Sequence, residues 1–450
     1  MKRLCFVLAI ALSAPAASEP LHLSPSGGDD TALIQATIDD LNLNGGGELR
    51  LSAGLFSISG TVHLKSGVSL TGAGRGTTIL RALGGSWASV PVPGSDSLEA
   101  AAVIATLGDH HIQVSSLTID THTNRAACNG VALMPIGQDF QGTPTRYAAI
   151  RDVEVLGNGL DHRYMIWSFR GEHIKIQENF INAYATEYSE SEGIEIAGGH
   201  DVLVQGNTVE NVGNACIYLN TAGTTAQTLK KGVRVAQNYV SHCENGIRAI
   251  AGSDETMGID HLLVSDNQVH DVRHNGIDIK TVPGSFVRGL GIVGNQVLGA
   301  IDHGIFFDGD GVEVAESLRI TDNQITGGDI GIRIDETTRD SAISNNTITG
   351  TRSAIWISRS SDVSLRNNHI GDVGERAIGV VYSDSVSTRG NYIRDWNLSG
   401  IGRPAVWFFG STGGSVIGND FKRPAGNQGA PLILVDPNSD GVVVRGNHAF

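Results

Sequence analysis

A two-part pattern recurs from about Gly193 to the end of the chain, and it limits the possible folds more than any other feature. Each copy has a short "GIxI" segment and then a second apolar segment that ends in Asn and an apolar residue, as in "GIEI" followed by "VLVQGNTV". Eleven of these asparagines follow one another at intervals of 22 to 31 residues: Asn179, Asn207, Asn238, Asn267, Asn295, Asn323, Asn346, Asn368, Asn391, Asn419 and Asn447. The repeat is too short for a domain and too rich in strands for a helical repeat, so it predicts a parallel β-solenoid.

In such a solenoid, alternate residues of each strand point into the coil and stack on those of the next turn, while the others point outward. Asparagines that recur at one turn can form a hydrogen-bonded ladder and tolerate a left-handed backbone. We therefore interpret the recurring asparagines as structural residues.

The segment before the regular coils predicts a helix. "DDTALIQATIDDL" places Leu33, Ile34, Ile38 and Leu41 at helical spacing, with Asp30 or Thr31 as the N-cap. A helix at about 29–43 would cover the open end of the solenoid. No Pro-rich or Ser-rich linker divides the chain, so we expect one all-β domain over residues 17–450, a right-handed parallel β-helix with an N-terminal capping helix.

Residues 1–16 have the pattern of a signal peptide, with a basic start, the apolar run "LCFVLAIAL" and the small residues "APA". This predicts a secreted or periplasmic protein. No later apolar stretch approaches the ~20 residues needed to span a membrane. The net charge of −15 argues against nucleic-acid or anionic-membrane partners. No pattern in the sequence predicts a particular oligomeric state.

Three cysteines follow the predicted cleavage point: Cys128, Cys216 and Cys243. They form neither a disulfide framework nor a metal motif. Cys216 and Cys243 fall in successive repeats and can approach each other, but we interpret them as buried thiols.

The segment "DDTALIQATIDDLNLNGGGELRLSAGLFSISGTVHLKSGVSLTGAGRGTTIL", together with the Asn-marked coils after it, resembles the pectate-lyase-like right-handed parallel β-helix superfamily. The resemblance covers nearly all of residues 17–450. It implies a carbohydrate-active protein, in a group of lyases, C5-epimerases, hydrolases and noncatalytic binders. The N-terminal part is most similar to secreted mannuronan C5-epimerases, whose motif is Y-G-F-D-P-H. The corresponding stretch here is "YMIWSFRGEH", in which only Tyr164 matches.

Aligning the "GIxI" strands predicts two outward-facing rows. The first row contains Glu195, Tyr218, Arg248, Asp278, Phe306, Arg333, Trp356, Gly379 and Trp407, and the second contains Ala197, Asn220, Ile250, Lys280, Asp308 and Asp335. Neighbouring residues of a row should lie ~4.8 Å apart, and the rows roughly 7 Å apart. Long connections at 221–232, 251–261, 281–289 and 308–317 predict the walls of a groove. Four residues project into it from adjacent turns: His242, Glu244, His274 and His303.

One reaction compatible with these rows is elimination or C5 epimerisation of a uronic acid, which needs a base for the C5 proton and a cation for the carboxylate. Lys280 or His274 would act as the base, Tyr218 would deliver a proton, and Arg248 or Arg333 would hold the carboxylate. We expect no required cofactor. Ca²⁺ bound by Glu192 and Glu195 is an alternative means of neutralising the substrate.

A second reaction is glycoside hydrolysis by two carboxyl groups. Asp308 and Asp335 would lie ~5 Å apart, near the retaining distance, and Asp278 and Asp308 roughly 8 Å apart, in the inverting range. A third possibility is a noncatalytic carbohydrate-binding envelope protein. The basic and histidine residues and the family resemblance together favour lyase or epimerase chemistry on a polysaccharide that contains uronic acid.

Further residues on this face are predicted to contact the polysaccharide. Outward aromatic rings can stack on sugars, and Trp356 and Trp407 are the better candidates for exposed subsites. The full set of predicted substrate-binding residues is Glu195, His303, Phe306, Asp335, Trp356 and Trp407.

Overall fold

The computed structural model describes residues 19–84, 87, 101–126, 128–134, 142–157, 159, 163–221, 232–252, 258–309, 315–336, 338–423 and 430–450. The fold is a right-handed parallel β-helix, as predicted. The predicted signal peptide at 1–16 and the loop segments 222–231, 253–257 and 310–314 lie outside the described residues. Within the described ranges, no helix is long and apolar enough to cross a membrane.

One complete coil shows how the chain winds. It runs through strands Ile277–Thr281, Phe286–Arg288, Gly291–Val293 and Gln296–Leu298, and the next coil starts with His303–Asp308. Each of these strands pairs in parallel with its counterpart one coil later. Residues 22 to 31 positions apart therefore become direct neighbours.

The strand that starts each coil belongs to what we call the site sheet. In the described residues it has fourteen strands: Val62–His63, Ala102–Leu107, Asn129–Met134, Tyr164–Phe169, Glu192–Ala197, Ala215–Asn220, Asn245–Ala251, Ile277–Thr281, His303–Asp308, Ile330–Asp335, Ser353–Ser358, Ile378–Val381, Val406–Phe409 and Ile433–Val435.

The remaining strands form two sheets. The ladder sheet, with twenty-nine strands in the described ranges, comprises Leu21–Leu23, Gly47–Leu51, Gly54–Ile58, Val68–Thr71, Thr78–Ala82, His110–Asp120, Arg146–Leu156, Glu172–Gln177, Phe180–Asn182, His200–Gln205, Thr208–Glu210, Arg234–Ala236, Tyr239–Ser241, Leu263–Ser265, Gln268–His270, Gly291–Val293, Gln296–Leu298, Arg319–Thr321, Gln324–Thr326, Ser341–Ser344, Thr347–Thr349, Val363–Arg366, His369–Gly371, Ser387–Arg389, Tyr392–Arg394, Ser415–Ile417, Asp420–Lys422, Val443–Arg445 and His448–Ala449. A short sheet contains Gly258–Asp260, Phe286–Arg288, Ala315–Glu316 and Thr338–Arg339.

The interior of the coil is filled by stacked aliphatic side chains. Ile247, Ile277, Ile305, Ile332 and Ile355 occupy matching positions on successive strands, and all are fully buried. Burying each such side chain contributes about 1.5–3 kcal/mol. The predicted alternation of inward and outward residues is confirmed on these strands.

The recurring asparagines form the predicted ladder. The side-chain oxygen of Asn295 accepts two hydrogen bonds from Asn267, one from the backbone N–H at 3.0 Å and one from the side-chain Nδ2 at 2.9 Å. The Nδ2 of Asn295 donates to the Val264 carbonyl at 3.0 Å. The same pattern links all eleven asparagines from Asn179 to Asn447.

The predicted helix spans Thr31–Leu43 and buries Ile34, Ile38 and Leu41. Leu33 was predicted to lie on the buried face, but it is 41% exposed, so that assignment is wrong. Asp30 occupies the N-cap position without a side-chain capping bond. Its carboxylate instead accepts hydrogen bonds from the backbone N–H groups of Ser26 and Ser57, which ties the start of the helix to the neighbouring coil.

The interpretation of Cys216 and Cys243 as separate thiols is wrong, because the structure joins them in a disulfide. They lie on neighbouring coils with their Cα atoms 5.8 Å apart, within the range that a disulfide requires. Cys128 is a buried thiol, and burial raises its pKa to about 12.

Candidate functional site

The site sheet brings the two predicted rows into register. Successive strands pair Glu195 with Tyr218, then Arg248, Asp278, Phe306, Arg333, Trp356, Gly379 and Trp407. They likewise pair Ala197 with Asn220, Ile250, Lys280, Asp308 and Asp335. The predicted site residues of both rows therefore share one outward face of the sheet.

A cavity of about 380 Å³ opens on this face. Its lining is almost wholly polar and combines cations, carboxyl groups and three amides: Tyr188, Asn214, Glu244, Asn245, Arg248, His274, Asn275, Asp278 and Lys280. A cavity with this lining can hold a polar ligand and offers both acidic and basic groups to it.

Asp278 lies at the base of this cavity. Only 1% of its side chain is exposed, and one carboxylate oxygen is 3.2 Å from the Arg248 Nε. Burial raises the pKa of Asp278, while the positive charges of Lys280 and Arg248 oppose that shift. We predicted an exposed outward residue; the side chain does face outward, but its neighbours on the same face cover it. A buried carboxyl group with a raised pKa is suited to general acid catalysis.

Asp308 is the more accessible carboxylate. It lies diagonally across from Asp278, which places the two Cα atoms roughly 8 Å apart. The Asp308 side chain is 32% exposed, and the Lys280 Nζ lies 4.0 Å from its carboxylate. Because the negative charge of Asp308 adds to the pKa rise of Asp278, the two carboxyl groups interact electrostatically.

His274 is held between two carboxylates. Its Nε2 is 3.1 Å from Glu244 and its Nδ1 is 2.7 Å from Asp302. Since both ring nitrogens are engaged, neither is free to take a proton from a substrate carbon.

His303 and Phe306 form the floor next to the cavity, with ring centroids 4.8 Å apart. Burial and the charge of Arg333 lower the pKa of His303 to about 4. The neutral ring can then donate from Nδ1 to the Asn275 side-chain oxygen at 2.7 Å and accept from Arg333 at 3.3 Å. Phe306 was predicted to be a sugar platform, but it is only 9% exposed and is covered by His303 and by the cations of Lys280 and Arg333.

A second cavity of about 240 Å³ lies further along the same face, lined by Asp329, Ile330, Arg333, Arg352, Ser353, Trp356 and Arg376. The Arg376 guanidinium sits 4.4 Å from the Trp407 ring centre. Its Nε is buried with no hydrogen-bond partner among the described residues, and burial and the nearby charge of Arg403 lower the pKa of Arg376. Trp356 and Trp407 are both partly exposed, with centroids 6.1 Å apart.

Asp335 was predicted as a partner of Asp308 at the retaining distance. It is 7% exposed, and its carboxylate is 2.5 Å from the Arg333 Nη2. Because Asp335 is covered and paired with an arginine, it is a poor nucleophile for the retaining mechanism.

Glu192 and Glu195 are buried beside Tyr164 and Tyr218 at the other end of the row. Burial raises the pKa of both carboxyl groups, and the proximity of Glu192 adds to the rise for Glu195. Burial also raises the pKa of both tyrosines. Asn214 donates a hydrogen bond to Glu192 at 2.9 Å.

Ca²⁺ prefers six to eight oxygen ligands. Across the described parts of the chain, Glu192 and Glu195 belong to no group of three His, Cys, Asp or Glu side chains close enough to share an ion. The Ca²⁺ site stays a prediction.

Asn214 was not among the site residues predicted from the sequence, and Glu244 was placed at the groove without a role. They occupy the turn ahead of the site strands, and backbone hydrogen bonds stack Glu244 on His274 and His274 on Asp302. The same repeat alignment, extended to the residues in front of each "GI", would have identified this polar column.

The structure is similar to several solved proteins. An exopolygalacturonase from Thermotoga maritima matches at 13% identity and a TM-score of 0.63, over 79% of this chain and 93% of that protein. A mutant tailspike protein of E. coli bacteriophage HK620 in complex with a pentasaccharide matches at 12% identity and a TM-score of 0.52, over 94% and 76% of the chains. Both proteins share the parallel β-helix fold of this chain.

An α-1,3-glucanase catalytic unit from Streptomyces thermodiastaticus has the same fold, with 13% identity, a TM-score of 0.51 and coverage of 96% of this chain and 70% of that one. The family model described as NosD, periplasmic copper-binding protein, matches residues 265–428. No curated protein matches the sequence.

Proposed function

We propose that the protein is an exported glycoside hydrolase that acts on a polysaccharide lying along the site sheet. The observation that carries this proposal is the contrast between two carboxyl groups on one face. Asp278 is buried with a raised pKa, and Asp308, one strand away, is a third exposed. When two carboxyl groups differ in burial in this way, one is suited to act as an acid and the other as a base.

In the proposed reaction, Asp278 donates its proton to the glycosidic oxygen as the bond from that oxygen to the anomeric carbon breaks. Water attacks the anomeric carbon and transfers its proton to Asp308. We take the two carboxyl groups to be separated by about as much as their Cα atoms, roughly 8 Å. That separation lies in the range of inverting enzymes, because it leaves room for the water. The product should therefore have the opposite anomeric configuration to the substrate.

The second cavity supports an acidic substrate. Three arginines, Arg333, Arg352 and Arg376, and one aspartate, Asp329, line it, in a chain whose net charge is −15. Trp356 lies three strands from Asp278, a distance of ~14 Å, so this subsite would contact the same polymer a few sugars away. Guanidinium groups bind carboxylates well. A polysaccharide that contains uronic acid fits this arrangement.

The similar structures support a polysaccharide substrate, since they include an exopolygalacturonase and an α-1,3-glucanase. The periplasmic description of the NosD family supports export.

Elimination or C5 epimerisation is the second candidate. Arg248, which approaches the Asn214 side-chain oxygen at 3.4 Å, faces the cavity and could hold a substrate carboxylate. This candidate lacks a free base among the two residues predicted for that role, because His274 is engaged at both nitrogens and Lys280 is paired with Asp308.

The experiment is a screen of the purified protein against uronic and neutral polysaccharides. Hydrolysis yields reducing ends without new ultraviolet absorption, elimination yields an unsaturated product, and a binder yields neither. Asp278→Asn and Asp308→Asn should each lower the rate about 10²–10⁴-fold. Asp322→Asn, at an exposed position between two strands of the ladder sheet, is the matched control and should keep full activity. Full activity in either site variant, or an unsaturated product, contradicts the proposal.

A further inference from the structure

A cluster of two histidines and an aspartate lies at the start of two neighbouring strands, outside both cavities. His173 is the second residue of strand Glu172–Gln177 in the ladder sheet, and His200 and Asp201 begin the neighbouring strand His200–Gln205. The ligand atoms of these three residues all lie within 4.8 Å of one another. In the described parts of the chain, no other group of three or more His, Cys, Asp or Glu side chains is this close. The cluster lies outside residues 265–428, which the NosD family model matches.

We propose that His173, His200 and Asp201 form a binding site for a divalent transition-metal ion of the zinc and copper class. Two imidazole nitrogens and one carboxylate oxygen suit these ions, whereas Ca²⁺ and Mg²⁺ prefer oxygen ligands alone.

The distances match a metal site. The Nδ1 atoms of His173 and His200 lie 3.3 and 3.4 Å from the same Asp201 carboxylate oxygen. Tetrahedral ligands about 2.1 Å from a zinc ion are separated by about 3.4 Å. An ion can therefore enter among the three groups with only small side-chain movements.

The second nitrogen of His200 is also held. Its Nε2 lies 3.2 Å from Glu172, and the other carboxylate oxygen of Glu172 lies 2.6 Å from Arg146. Metal-binding histidines usually donate their other N–H to a carboxylate, which orients the ring and makes it a stronger ligand. Here Arg146 holds Glu172 and Glu172 holds Nε2 of His200, which leaves Nδ1 of His200 directed toward the cluster.

His173 is oriented by stacking. Its ring lies 4.6 Å from that of Tyr147, with only 4° between the planes. His173 and Asp201 occupy equivalent positions on adjacent coils and share a positive φ, at 56° and 52°. Gly232 leaves room for Asp201, because a Cβ at Gly232 would lie 2.3 Å from an Asp201 carboxylate oxygen.

The site would be open to solvent. The side chains of His173, His200 and Asp201 are 39%, 28% and 48% exposed. Three protein ligands on an accessible surface leave a fourth position for water or for a group of a bound molecule.

The test uses the full chain, untagged and stripped of metal with a chelator. Titration with Zn²⁺ in a calorimeter should show one site per chain, and Ca²⁺ should not bind there. His173→Gln, His200→Gln and Asp201→Asn should each weaken Zn²⁺ binding at least tenfold. Glu172→Gln should weaken it about tenfold through the orientation of His200. His261→Gln removes an exposed histidine that also contacts a carboxylate, Asp260, and should change nothing.

A spectroscopic measurement on the unmodified chain keeps the proposal testable even if a variant misfolds. With one equivalent of Cu²⁺, electron paramagnetic resonance should show coupling to two imidazole nitrogens. Absence of Zn²⁺ binding, binding that survives both histidine substitutions, or a Cu²⁺ spectrum without nitrogen coupling would each overturn the proposal.

Discussion

Arg248 and Asp278 occupy paired positions on neighbouring strands, with the arginine Nε 3.2 Å from a carboxylate oxygen of the aspartate. The arginine is partly exposed to the cavity, and the aspartate beneath it is 1% exposed. The pair therefore places a buried carboxyl group under a cation that a substrate can reach. Burial raises the pKa of Asp278, and the charges of Lys280 and Arg248 oppose that rise.

The first prediction concerns the pH dependence of activity. The raised pKa of Asp278 keeps it protonated to higher pH, and loss of that proton should set the alkaline limb of the profile. Arg248→Gln removes a positive charge that stabilises the carboxylate, so the pKa of Asp278 should rise further. We expect the alkaline limb of kcat/KM to move up by about one pH unit.

Profiles of kcat/KM against pH for the two proteins check this. Arg394→Gln, which removes an arginine paired with Asp372 and Asp395 on the ladder sheet, should leave the limb in place. A limb that moves down in Arg248→Gln would exclude Asp278 as the acid.

The second prediction concerns the arginine-lined cavity. Arg376→Gln removes a buried guanidinium whose Nε has no hydrogen-bond partner among the described residues. If the cavity binds a uronic acid away from the bond that breaks, KM for an acidic polysaccharide should rise about tenfold with little change in kcat.

The matched comparison is the same polymer after its carboxyl groups have been reduced, for which wild type and Arg376→Gln should have similar KM values. Arg366→Gln, at an exposed arginine, is the control variant. An equal loss on both polymers would show that Arg376 supports the fold rather than an anionic subsite.

The third prediction concerns stability. Burial raises the pKa of Glu192 from its ordinary value of 4.5 to about 8, so between these values the folded state binds more protons than the unfolded state. The contribution of Glu192 to stability is therefore fully present below pH 4.5 and is lost as the pH rises toward 8. The loss is at most about 1.4 kcal/mol per pH unit.

In Glu192→Gln, the free energy of unfolding should change less with pH than in the wild type. Part of the change should remain, because the pKa of Glu195 is also raised. Urea unfolding midpoints at pH 5 and pH 8 measure the effect. Glu178→Gln, at an exposed position, should retain the wild-type slope. The same slope in Glu192→Gln would mean that Glu192 ionises normally in the folded protein.

The fourth prediction concerns the asparagine ladder. Asn295→Ala removes one acceptor and one donor group and leaves buried partners on Asn267 and Val264 unsatisfied. Each unsatisfied buried group costs about 1–3 kcal/mol, so the free energy of unfolding should fall by about 3 kcal/mol or more. Asn438→Ala, in an exposed turn, should change it by less than about 0.5 kcal/mol. Equal thermal midpoints for the two variants would contradict a structural role for the ladder.

The register of the site sheet was predictable because the repeats place their "GI" pairs at the same position in the strand. Asp278, Phe306 and Arg333 each stand two residues after the glycine of a "GI" pair, so one alignment placed them in a row. Other features had no such signal. Leu33 fits a helical apolar stripe, yet it faces solvent because the helix packs on the coil through a narrower face.

Contacts between coils account for the remaining differences. The sequence shows that Cys216 and Cys243 fall in successive repeats, but a disulfide depends on how their turns stack. Likewise, the engagement of His274 by two carboxylates requires side chains from three coils to meet.

The sequence by itself determined that this chain winds into stacked coils and which residues share an outward face, because inward-facing apolar residues and buried asparagines recur with each turn. The tertiary structure alone decided which of those outward residues are covered. Asp278 and Phe306 are largely covered by neighbouring side chains, although Asp278 still lines the cavity, whereas Asp308 and Trp356 are more exposed. Burial, and the pKa shifts that follow from it, depends on side chains packed from other coils, and no local pattern encodes that packing.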